Sequence, residues 1–87
     1  MIKFDININF PILHRDILKI SKVMKEMNSD IRVYKNTDTR VVHGNSEIGM
    51  LSLGIENRDI LHFTIMGDYY EIDSNKIKGM FVEVKGD

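Results

Sequence analysis

The chain predicts an α+β fold, a sheet with helices gathered on one of its faces, on three observations. Residues 2–10 alternate strictly between apolar and polar. Two later stretches carry apolar residues at helical spacings of three and four, one of them bounded by a serine and a glycine. Between and after these lie short runs of strand-forming residues set off by turn-forming ones. An alternating strand has one face to bury, and helices laid against that face are the economical way to do it.

Taken in order, Ile2, Phe4, Ile6, Ile8 and Phe10 are separated by Lys3, Asp5, Asn7 and Asn9, the period of a half-buried strand over residues 2–10. Pro11 lacks a backbone donor and disfavours helix at Phe10, so 11–14 reads as a loop. Ile17, Ile20, Val23, Met24 and Met27 then repeat at helical spacing, with Asp16 in the first turn and Asn28-Ser29-Asp30 as the break. Residues 31–35 and 40–43 flank Asn36-Thr37-Asp38-Thr39 and read as a hairpin. Ser46 caps a short helix running to Leu53, with Glu47 at its positive end and Gly54 as its stop, and Ile48, Leu51 and Ile55 provide the apolar side. Residues 60–66 form a strand with Leu61, Phe63 and Ile65 on one face. The tail has two readings. Ile77, Met80, Phe81 and Val84 suit a helix after a Ser74 cap, whereas Met80 to Val84, or a hairpin through Gly67-Asp68 into Tyr69 to Ile72, suits strand.

The 87 residues make one domain, 1–87, with 43% hydrophobic and 29% charged residues, ordinary globular values. A net charge of −1 supplies no basic field for a nucleic acid. No apolar run approaches the roughly 20 residues that span a bilayer, and the amino terminus alternates instead of forming a signal-peptide core, so a cytoplasmic location without membrane insertion is expected. The absence of cysteine removes thiolate chemistry and disulfides. His14, His43 and His62 share no ligand spacing, so no metal or other cofactor is expected. No paired carboxylates, glycine-rich phosphate loop or nucleophile triad suggests an unrelated small enzyme.

The run Ser46, Gly49, Ser52-Leu53-Gly54-Ile55 resembles the regulatory-serine helix of HPr, the histidine-containing phosphocarrier of the bacterial sugar phosphotransferase system. With the helical reading of the tail, the element order over roughly residues 1–84 is also that of HPr. The resemblance implies an open-faced sandwich of four antiparallel strands with three helices on one face. It implies a phosphoryl carrier that turns nothing over by itself, with enzyme I and the sugar permeases as partners, and a kinase and a transcriptional regulator acting at the serine. His14 is then the candidate phosphoryl acceptor, Arg15 the candidate phosphate clamp and Ser46 the candidate regulatory site. Glu47, Ile48, Met50 and Leu51 fall on the helix that docks partners, with Ile48 and Leu51 expected in the core.

The acceptor motif departs from the family pattern, in which a histidine is followed after one residue by arginine and then proline. Here His14 and Arg15 are adjacent and Asp16 follows. Matching the helix core keeps Arg15 in place and puts Leu13 at the acceptor position; matching the histidines puts Asp16 where the arginine belongs. A unit charge pair about 4 Å apart interacts by about 1 kcal/mol even in water, so Asp16 against a doubly charged phosphate costs about 2. A helix dipole returns about 0.3–1 kcal/mol. Poor phosphorylation of His14 is therefore expected. Glu47 likewise stands where the family's docking surface has an apolar residue, and an unrewarded charge there disfavours an apolar partner. The rival reading is an HPr-like interaction module that has lost phosphoryl transfer.

Overall fold

The opening alternation folds into a strand, β1 (Ile2–Asn7), in the computed structural model, which describes residues 1–86. It ends three residues earlier than the alternation does. Ile8 is fully buried, and its backbone bonds to Asp59 and Arg58 of a distant loop, so the chain leaves the ladder at that point. α1 (His14–Lys25), β2 (Asp30–Lys35), β3 (Val42–His43), α2 (Glu47–Ser52), β4 (Ile60–Met66) and α3 (Tyr70–Gly86) follow. His14, expected in the loop, is the first residue of α1.

The strands form one antiparallel sheet in the order β1-β4-β2-β3. Its register sets Phe4 and Val33 on either side of Phe63, and Asp5 and Tyr34 on either side of His62. The first set faces the helices and the second the open side, and a slip of one residue would exchange them. Ile31, Val33, Leu61, Phe63 and Ile65 are buried beneath the helices. Phe63 stacks on Phe4 at 5.1 Å between ring centroids and meets Phe81 edge-on at 5.9 Å. The hairpin of 31–43 is present, but its second strand is reduced to Val42 and His43.

The helices close the core with Ile17, Ile20 and Met24 from α1, Met50 from α2, and Ile77, Phe81 and Val84 from α3. Val23, expected inside α1, is partly exposed, and the small Ser21 is buried in the face that packs. The tail is helix from Tyr70 to Gly86. Ser74 does not cap it but lies buried in its second turn, donating to the Glu71 carbonyl at 2.9 Å. The buried Asp73 carboxylate accepts the Ser29 hydroxyl, which ties α3 to the turn before β2.

In α2 two of the three residues expected inside turn outward, while Ile55, just past the helix, is buried as expected. Ile48 is 82% and Leu51 39% exposed, while Met50 is fully buried and Leu53 nearly so. The segment before the helix sets this phase. Gly44 packs so tightly that a Cβ there would lie 2.5 Å from Ile31 Cγ2. Asn45 donates to the Met24 and Ser29 carbonyls and accepts from the Ile31 N–H. With the start of α2 pinned in this way, Met50 turns towards the core. No helix among the described residues is long and apolar enough to cross a membrane.

Candidate functional site

At the start of α1, Leu13 adopts an extended backbone (φ −102°, ψ 157°) and is the N-cap. Its carbonyl accepts the Asp16 and Ile17 N–H groups at 3.0 and 3.2 Å. A leucine side chain cannot accept from the first-turn amides, so His14 and Arg15 N–H face outward without an acceptor in the helix ladder. Asp16 reaches back instead, its Oδ2 accepting the Leu13 N–H at 3.0 Å. This is one half of a capping box, and it sets a carboxylate at the positive end of the helix.

His14 and Arg15 are both exposed at this end. Arg15, Asp16, Lys19, Leu13 and Val84 line a shallow depression of about 460 Å³. His14 is not among its walls. Ile17 and Ile20 are buried, as the helix-core alignment requires, and in that register Leu13 rather than His14 stands at the helix cap. The site thus has an exposed imidazole, an adjacent guanidinium, a lysine one turn further on and a carboxylate bonded across the opening.

The second candidate region lies at α2. The Ser46 hydroxyl accepts the Gly49 N–H at 3.0 Å, the N-cap contact its sequence predicts, and the serine remains exposed. Gly54 closes the helix at φ +60°, in the left-handed region that glycine tolerates. Ser46, Glu47 and Ile48 share a depression of about 330 Å³ with Asn45 and Lys25. Ile48 and Leu51 present apolar surface, whereas Met50 is buried and offers no side chain to a partner. Lys25 is the last residue of α1 and His14 the first, so the two candidate sites sit towards opposite ends of a helix about 18 Å long.

Two features escape a reading of local pattern. Asp16 as a cap follows a leucine, and capping boxes are sought after serine or threonine; the only signal is the spacing of three. On the open face of the sheet, His62 Nδ1 lies 2.7 Å from Asp5 Oδ1 and its ring stacks on Tyr34 at 4.5 Å, a cluster made by the register of three strands. His43 is exposed on the same side, 3.6 Å from Asp30.

No protein-family model and no curated protein matches the chain in sequence. Solved structures do match in shape. HPr-C-His from Thermoanaerobacter tengcongensis superposes with a TM-score of 0.85 at 20% identity, over 100% of this chain and 98% of that one. A phosphocarrier protein HPr from Bacillus anthracis gives 0.79 at 17% identity, over 91% and 94% of the two chains. The histidine-containing phosphocarrier protein of Mycoplasma gives 0.82 at 15%, over 94% and 93%. Likeness at this identity speaks for architecture, and over its described length the chain has the fold of the HPr phosphocarriers.

Proposed function

We propose that the chain is an HPr-like interaction and regulatory protein of a phosphoenolpyruvate-dependent sugar phosphotransferase system, with phosphoryl transfer to His14 weak or lost. The Asp16 carboxylate bonded to the Leu13 N–H carries this reading. In a carrier, the N–H groups at a helix start and a nearby guanidinium stabilise the phosphoryl group on the imidazole. Here a resident anion already uses one of those amides and repels a second anion brought beside it. Arg15 and Lys19 offset part of that repulsion. Partner docking falls to the exposed apolar residues of α2, Ile48 and Leu51, with Glu47 weakening contact with enzyme I.

Phosphoryl transfer at His14 is the second reading, favoured by the exposure of His14 and Arg15 side by side. Incubation with phosphoenolpyruvate and enzyme I, followed by assay for acid-labile phosphate, distinguishes the two. The expected result is at most trace labelling of the unmodified protein and increased labelling of Asp16→Asn, whose amide oxygen retains the cap without the charge. Efficient labelling of His14 in the unmodified protein overturns the proposal in favour of a carrier. Ser46 is the proposed regulatory position, with Lys25 across the same depression as counter-ion for a phosphate. Glu47→Ile should tighten binding to enzyme I in a titration, and unchanged affinity would count against docking through this face.

A further inference from the structure

β1 is the edge of the sheet: it pairs with β4 on one side and, among the described residues, with no strand on the other. Beside it, between β1 and α3, runs a groove of about 230 Å³. Ile6, Phe10, Phe81 and Val82 line it, and Val82 is 71% exposed although it stands over an apolar floor. Lys78 and Lys85 line the groove from α3, and Lys78 Nζ also sits 4.7 Å from the centroid of the Phe4 ring. Neither lysine has a carboxylate partner among the described residues. The one carboxylate in the lining, Asp5, is held by His62 at 2.7 Å.

We propose that this edge and groove bind an extended acidic peptide segment, which adds to β1 as a further strand and sets alternate side chains into the groove. Main-chain bonds to an open edge supply affinity in such complexes, and pockets for alternate residues supply selectivity. The charge favours an acidic guest over a second copy of this chain. Symmetric pairing of two β1 strands would bring the Lys78 and Lys85 pairs of both copies to the same groove. The spacing fits as well. Lys78 and Lys85 are seven residues apart on one helix, about 10.5 Å along its axis. Carboxylates four residues apart on a strand point to the same face about 13 Å apart, within reach of two flexible lysines. A central apolar residue between them falls over Val82 and Phe10.

The probe is the capped heptapeptide Thr-Glu-Thr-Val-Thr-Glu-Thr, titrated into isotope-labelled protein at low salt and followed by NMR. Saturable shifts confined to residues 2–10 and the exposed side of α3 are expected. Exchanging both glutamates for lysine in the peptide should abolish them. N-methylation of both the central valine and the threonine after it, whose N–H groups point to opposite edges of the guest strand, should weaken binding at least tenfold, as should Lys78→Gln with Lys85→Gln, which leave the buried face of α3 intact. No saturable shift at millimolar peptide, shifts centred elsewhere, or equal binding of the lysine peptide would overturn the proposal. So would the same β1 shifts appearing on concentrating the protein alone, which would make a second copy the occupant.

Discussion

Among the described residues, Asp59 gathers more hydrogen-bond partners than any other carboxylate. It accepts from the Asn36 side chain at 2.9 Å, the Glu56 N–H at 2.8 Å and Lys35 Nζ at 3.2 Å, and Lys35 also donates to the Gly54 carbonyl at 2.9 Å. Burial pushes the carboxyl pKa up, but the bonds from Asn36, Glu56 and Lys35 and the lysine charge outweigh it, and the net direction is down. A carboxyl depressed in the folded state contributes stability that is complete above its unfolded value, about 3.9, and is lost as pH falls through the folded one. Asp59→Asn should therefore flatten the acid limb of stability below about pH 4, and at neutral pH should cost about 1–3 kcal/mol through lost charge-assisted bonds. Urea unfolding between pH 7 and pH 2.5 measures both, and an unchanged acid limb would mean that other carboxylates set it.

At the scale of elements, the two short-range signals of α2 were legible and its orientation was not. Ser46 and Gly54 mark its ends by local chemistry, and the structure keeps both. Ile48, Met50, Leu51 and Leu53 allow more than one inward face in so short a helix. The choice rests on Gly44 against Ile31 and on Asn45 bonded to Met24, contacts with residues far away in sequence. The difference is measurable: Met50→Ala should cost about 2–5 kcal/mol, as truncation of a buried methionine does, and Ile48→Ala less than about 0.5. Thermal unfolding of the two variants checks it, and comparable losses would contradict the observed phase. α3 was ambiguous for a related reason, since Gly79 weakens the helical pattern locally. In the folded helix, a Cβ at position 79 would meet nothing within 4 Å. Gly79→Ala should raise stability by about 0.5–1 kcal/mol, read as an increase in the urea midpoint.

For the whole molecule, alternation and helical spacing sufficed for the α+β class, because both follow from which residues must leave water. Strand order and register did not follow, since they depend on pairings across the full chain. The Asp5, His62 and Tyr34 cluster and the Asp16 cap became visible only once those pairings and the true helix start were known. The strand order also has a consequence for biogenesis. The first strand made lies against the last one, and that last strand fills the position between β1 and β2. A nascent chain emerging from the ribosome therefore holds β1 and β2 without their common neighbour until residues 60–66 are out. A fragment comprising residues 1–58 should accordingly lack a cooperative unfolding transition by circular dichroism, and synthesis of the full chain should pass through a late, all-at-once collapse rather than stepwise accretion.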